Sequence, residues 1–246
     1  MLETIKEKII AAAKERNIKV FFAAVVGSRA YGVESRDSDW DTHFVFVHPR
    51  ERYLSLHTPQ DFIDLGDNIT GWELGKFLRM INKSSYSSFE LLTSPLVVID
   101  DEVRCDLLNL AKRFFNHVAL TNAFCGYAHE ALKKVRNHDE INVKVKQLLT
   151  AARMYLMALY IGNEKKFPPL SFTELLYQTN VSNALDFKKL RAAKIVRTEL
   201  PIEFIEEMTE KIETLCKHLL DLNKEQHGNA VGKFDELDEF FKQSLT

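Results

Sequence analysis

The apolar positions of this chain recur with two different periods, and the change between them divides the sequence. Ile5, Ile9, Ile10 and Ala13 share one face of a helically spaced segment, which predicts a first helix over residues 2–15. Val20 to Val26 is a continuous apolar run of strand length, as expected of a strand buried on both faces. It stops at Gly27, and small and polar residues continue to Ser38. Asp41 to Val47 predicts a second strand, ended by Pro49. A third strand is expected between Asp61 and Ile69, closed by Gly71 and followed by a helix from Trp72 to about Asn82. From Asp101 onward the spacing is helical, through 103–116, 121–136 and 142–161, then 173–179, 184–197, 202–223 and 233–245. Pro168, Pro169 and Pro201 punctuate these runs, as proline does at helix starts. The pattern predicts an α+β chain: a small domain over residues 1–100, with a mixed sheet and flanking helices, then an all-helical domain over 101–246.

Composition adds mainly exclusions. Hydrophobic residues make up 46% and charged residues 28% of the 246 positions, an ordinary balance for a globular protein. A formal net charge of −2 provides no overall basic field, so any nucleic-acid contact must use a local patch. Cys105, Cys125 and Cys216 are odd in number and lack metal or redox spacing, which points to reduced thiols. The eight histidines show no His-x3-His pattern, so zinc is not expected. The N-terminus reads as an amphipathic helix rather than a signal peptide, and the longest apolar run is too short for a bilayer. The expectation is a cytoplasmic protein with no membrane partner.

The chemistry concentrates between Gly27 and Asp41. Side chains two apart on an extended chain share a face, so Asp39 and Asp41 would present two carboxylates about 7 Å apart. Two acids that close repel unless a cation lies between them, and Mg²⁺ or Mn²⁺ prefers hard oxygen ligands of this kind. Upstream, Gly27 at a strand end lets backbone approach a ligand closely, and Ser28 offers a hydroxyl to a phosphate. The composite is a buried strand, Gly-Ser, ten intervening residues and Asp-x-Asp entering a second strand.

That composite resembles the DNA polymerase β nucleotidyltransferase superfamily, and more narrowly the predicted nucleotidyltransferases associated with RNA ligases. The matching words are Gly27-Ser28-Arg29-Ala30-Tyr31-Gly32, Ser38-Asp39-Trp40-Asp41 and Gly71-Trp72-Glu73-Leu74-Gly75-Lys76. Weaker matches are Glu90-Leu91-Leu92-Thr93-Ser94-Pro95 and Phe167-Pro168-Pro169-Leu170-Ser171-Phe172. The resemblance implies a polymerase β-type domain before the helical one, Mg²⁺, a nucleoside triphosphate donor and transfer of a nucleotidyl group to a hydroxyl, with an RNA end among the candidate acceptors. It departs from the pattern at Asn68, where an acid is expected, and at Ser85-Tyr86, where Asn-Pro is expected.

On these grounds Asp39, Asp41 and Asp67 are the candidate catalytic and metal-binding carboxylates. Asp67 fills the third position if a bulge near Gly66 re-aims it, and otherwise Asn68 does. Gly27, Ser28, Arg29 and Lys76 are the candidate nucleotide-binding residues. Arg29 could instead pair with Glu34 or Asp37, and Lys76 could be a solvated charge. Trp72 and Tyr31 read as packing residues. Lys188, Lys189, Arg191, Lys194 and Arg197 read as a solvated helix face, with nucleic-acid contact as the alternative. Two further readings stand beside nucleotidyl transfer to RNA: transfer to a protein or small molecule, and a nucleotide or RNA sensor without turnover.

Overall fold

The computed structural model describes residues 1–245. Its elements in chain order begin with α1 (Leu2–Arg16), β1 (Lys19–Val25), α2 (Gly27–Ala30), β2 (Thr42–Val47) and α3 (Arg50–Tyr53). β3 (Phe62–Asp64), β4 (Ile69–Glu73), α4 (Leu74–Asn82), α5 (Tyr86–Thr93), β5 (Leu96–Ile99) and α6 (Glu102–Phe114) follow. The remainder is helical: α7 (His117–Asn137), α8 (Ile141–Glu164), α9 (Phe172–Thr179), α10 (Ala184–Val196), α11 (Ile202–Asn223) and α12 (Phe234–Ser244). The fold is α+β, with a mixed five-stranded sheet followed by a helical region.

The sheet order is β3-β4-β2-β1-β5. β1 runs antiparallel to both β2 and β5, β2 and β4 are parallel, and β3 is antiparallel to β4. β1 sits inside the sheet with both faces covered, which is why residues 21–25 are apolar without alternation. One face packs Ile5 and Ile9 of α1 against Ala23, Phe44, Phe46, Ile63 and Ile69, with Trp40 and Ile99 at the margin. On the other face Phe77 of α4 meets Phe22 edge-on at 5.8 Å and stacks on Trp72 at 6.2 Å. α4 buries Leu74, Phe77, Leu78 and Ile81, the i, i+3, i+4, i+7 stripe of a helix lying on a core.

The expected third strand is instead a hairpin. Gly66, Asp67 and Asn68 carry φ angles of 72°, 50° and 59° in succession, which no strand accommodates. Leu65 N–H donates to Ile69 C=O, and Ile69 N–H returns to Gly66 C=O. Gly, Asp and Asn tolerate the left-handed region best, so this tripeptide makes the turn from β3 to β4.

The chain forms two compact units, and they are not consecutive stretches. The first comprises residues 1–30, 39–115 and 230–246, and the second comprises 31–38 and 116–229. Where a division near residue 100 was expected, α6 and the C-terminal helix α12 instead belong with the sheet. Within the first unit, Val231 and Gly232 N–H groups donate to Arg113 C=O at 2.8 and 2.9 Å, and Arg113 pairs with Glu236 at 3.0 Å. The second unit is built on the α7–α8 hairpin with α9, α10 and α11 against it. Cys125 of α7 and Cys216 of α11, remote in sequence, are buried hydrogen-bonded neighbours there, and that bond, with burial, pushes the Cys216 thiol up. Among the described residues no helix is long and apolar enough to cross a membrane.

Ser94 fastens α5 to the end of β1. Its buried hydroxyl donates to Val25 C=O and accepts the Leu96 N–H at 3.2 Å. Ser94→Ala removes both bonds and leaves buried backbone groups unsatisfied, which should cost about 1–3 kcal/mol. Urea unfolding should show a lower midpoint with an unchanged slope; an unchanged midpoint would mean the bonds are replaced by water.

Candidate active site

β1 delivers the chain to Gly27 in a left-handed conformation, φ 71°, that a side chain would strain. α2 then carries Ser28 and Arg29. The neighbouring strand is entered through Asp39-Trp40-Asp41, and Asp41 C=O accepts the Val26 N–H at 2.7 Å. This bond extends the β1–β2 ladder past Val25 and sets the two motifs side by side. A Cβ placed on Gly27 would stand 2.7 Å from Asp41 Oδ2. Glycine is therefore required twice over, by its dihedral and by the carboxylate lying against it.

Phe44 and Phe46 turn toward α1, so strand alternation turns Asp41 and His43 to the opposite face. Asp41 is half-buried and Asp39 exposed. The Asp39 side chain has no protein partner among the described residues, while its carbonyl accepts Arg29 Nε at 3.1 Å. The Arg29 guanidinium lies over the Trp40 ring at 4.1 Å. Arg29 thus ties α2 to the acidic segment, while Asp37 pairs with Arg197 at 2.6 Å.

A residue passed over as a candidate in the sequence supports this turn. Glu90 of α5 is 7% exposed, and its Oε1 accepts the Gly27 N–H at 3.3 Å. Gly27 therefore lies between two carboxylates, Glu90 on its amide and Asp41 against its α-carbon. A glutamate in the middle of a helical segment reads as a solvated charge; only its place within Glu90-Leu91-Leu92-Thr93-Ser94-Pro95 singled it out.

Two expected site residues lie elsewhere. Asp67 sits on the β3–β4 turn with its side chain 85% exposed and pairs with Lys8 of α1 at 2.8 Å. The turn re-aims it to the α1 side, away from the face that carries Asp41. Lys8 holds the Asp67 carboxyl below its usual range. Asn68 lies next to the Asp pair through its backbone, its carbonyl accepting the Thr42 N–H at 2.9 Å. Lys76 follows the far end of β4, pairs with Asp61 at 3.3 Å and lies 5.2 Å from the Phe62 ring. On the Asp41 face β4 offers Thr70 and Trp72, which are neutral. Thr70 is hydrogen-bonded to His43 Nδ1 at 2.6 Å and Trp72 lies 4.4 Å from the His43 ring. Burial lowers His43 to about 4, so it too is neutral near pH 7.

The basic run of α10 is divided: Lys188, Lys189 and Arg197 are exposed, whereas Arg191 and Lys194 are half-buried and engaged. Within the second unit Arg191 donates to Gly32 C=O at 3.0 and 2.7 Å, and Lys194 reaches Val33 C=O and Ser38 Oγ. Lys189 lies over Phe204, and the buried Arg153 stacks on Tyr31 at 3.4 Å.

A Gly-Ser turn leaving one strand and Asp-x-Asp entering its neighbour, on a mixed sheet of this order, define a polymerase β-type nucleotidyltransferase domain. The profile of the RNA repair pathway DNA polymerase beta family matches residues 1–243, and the chain belongs to that family. It is 29% identical over 247 residues to the uncharacterized protein YcgL of Bacillus subtilis, covering 97% of this chain and 94% of that protein. Among solved structures it is similar to a nucleotidyltransferase-like protein from Exiguobacterium sibiricum at 10% identity, over 89% of this chain and 75% of that one. The TM-score of 0.35 is too low to compare sites.

The bond from Gly27 to Glu90 separates acceptor chemistry from charge. Glu90→Ala leaves the Gly27 amide without its acceptor, whereas Glu90→Gln retains a carbonyl oxygen in the same place. The alanine variant should be less stable than the glutamine variant by about 1–3 kcal/mol in urea unfolding. Equal stabilities would show that the turn does not depend on this bond.

Proposed function

We propose that this protein transfers a nucleotidyl group from a nucleoside triphosphate to a hydroxyl acceptor, with pyrophosphate as the leaving group. The observation that carries the reading is the packing of Asp41 against Gly27, which sets the carboxylate of the Asp-x-Asp segment against the Gly-Ser turn. The acceptor oxygen attacks the α-phosphorus in line, the bond to the bridging oxygen breaks, and the acceptor proton is lost to the medium. Gly27 leaves room for the Asp41 carboxylate, the Ser28 hydroxyl binds a phosphate oxygen, and Arg29 holds Asp39 in place. An RNA end is the acceptor class favoured by the name of the family.

The donor set fits Mg²⁺, with Mn²⁺ as its substitute, because Asp39 and Asp41 are oxygen ligands from one short segment. Among the described residues no group of three or more acids, histidines or cysteines is gathered to hold a metal, so phosphate oxygens and water would complete the coordination. Such an ion supplies charge neutralisation and polarises the phosphoryl group. Asp67 and Lys76 have no part in the proposal. The absence of an acid from the Asp41 face of β4 favours one second reading, a nucleotide-binding protein without turnover.

Incubation with each labelled triphosphate, Mg²⁺ and RNA oligomers carrying a free terminal hydroxyl should yield pyrophosphate and a lengthened product. Asp41→Asn and Asp39→Asn should each reduce the rate at least about a hundredfold, on the scale of losing an electrostatic catalytic group. The melting temperature of Asp39→Asn should not fall, since neutralising one member relieves like-charge repulsion. Turnover retained in Asp39→Asn would refute the assignment, and Mg²⁺-dependent nucleotide binding without pyrophosphate would select the second reading.

A further inference from the structure

The first unit holds a cavity of about 580 Å³ that none of the proposed chemistry uses. It opens at the far end of the sheet from the aspartates. Asp41 precedes Thr42 at the start of β2, whereas Glu73 ends β4 beside Phe46. At the rise of a strand these points are roughly 16 Å apart. The volume suits a drug-sized molecule.

Its apolar lining includes Leu78, Phe234 of α12 and the rings of Tyr53 and Phe241, which meet edge-on at 5.3 Å. Its polar groups are divided between floor and rim. Glu73, 5% exposed, is at the floor, accepting Tyr53 O–H at 2.8 Å on one oxygen and Lys76 N–H at 3.1 Å on the other. Burial raises the Tyr53 hydroxyl, so it remains a donor and leaves Glu73 with spare acceptor capacity.

The charges at the rim are settled with one exception. Asp61 pairs with Lys76 at 3.3 Å and Asp238 with Lys242 at 2.7 Å. The Arg79 side chain has no ion pair or hydrogen bond among the described residues, though it lines the same cavity. A point above Gly75, where a Cβ would stand, is 3.0 Å from Glu73 Oε2, 3.4 Å from Phe241 and 3.5 Å from Arg79 Nη1. The floor acceptor, an aromatic wall and the unpaired cation thus converge beside Gly75 at the cavity lining.

We propose that this cavity is a second ligand site, separate from the aspartate pair, for a flat ring carrying an N–H donor and one anionic group. The ring lies against the Tyr53–Phe241 pair, its N–H donates to Glu73, and its anionic group bonds the Arg79 guanidinium. Two sources share this chemistry, a nucleoside monophosphate and an aryl carboxylate.

The test uses 5′-AMP, indole-3-acetate and tryptamine as probes, by calorimetry and NMR on the full chain in EDTA. One or both anionic probes should bind saturably, with intermolecular NOEs to the Tyr53 and Phe241 rings, and tryptamine should not. Binding by AMP alone identifies the nucleotide source, and by indole-3-acetate alone the aryl acid. Arg79→Gln, at an exposed position with no partner to lose, should weaken binding at least about tenfold. Asp41→Asn should leave it unchanged, so the outcome is independent of the nucleotidyltransferase reading. No saturable binding of either anion at millimolar concentration overturns the proposal. So does affinity unaffected by Arg79→Gln, lost with Asp41→Asn, or higher for tryptamine.

Discussion

The Gly27 amide is held by the buried Glu90 carboxylate, and the other side of the same residue is closed by Asp41. Much of the first unit is arranged around keeping those three together. α5 must lie against the end of β1 for Glu90 to reach the turn, and Ser94, one helical turn further on, ties the same helix to Val25 C=O. The β1–β2 ladder must run one bond beyond Val25 for Asp41 to arrive, and the Val26 N–H provides it. A hydrogen bond to a charged group is worth about 1.5–3 kcal/mol, enough to fix a turn whose dihedral is intrinsically unfavourable for any residue but glycine.

Periodicity made the central strands, α1 and α4 legible, because in each the burial demanded by the fold coincides with the intrinsic period of the element. The placement of Gly27, Ser28, Asp39 and Asp41 was legible because Gly-Ser and Asp-x-Asp flank strands recognisable from composition alone. What failed did so for identifiable reasons. Residues 61–69 contain enough apolar positions to read as one strand, yet three successive left-handed residues turn the chain there, and that turn carries Asp67 to Lys8. Register decides which face a side chain takes, and a turn inserted into a presumed strand resets it. The placement of α12 beside α4 depends on contacts across more than 150 positions, which no local pattern records. Arg191 and Lys194 were unreadable in the same sense, since their partners are backbone carbonyls of residues 32 and 33.

The electrostatics of the candidate site lead one step further. Asp39 and Asp41 bring two negative charges to one short segment, and the single Arg29 cation beside them lies over Trp40 and donates to the Asp39 carbonyl. The next positions on the Asp41 face are His43, Thr70 and Trp72. His43 is kept neutral by burial and Lys76 is committed to Asp61 at the far end of the sheet. A triphosphate approaching this face would meet like charge at close range, a repulsion of several kcal/mol where water is partly excluded. The proposed reaction therefore requires the nucleotide to arrive with its own cation, and in that sense the aspartates would recognise a metal-bound triphosphate rather than the triphosphate itself. The same reasoning explains why neutral neighbours are tolerated on β4. A third carboxylate there would tighten the hold on an ion but deepen the repulsion whenever the ion was absent, and with two the site depends on its ligand to complete it.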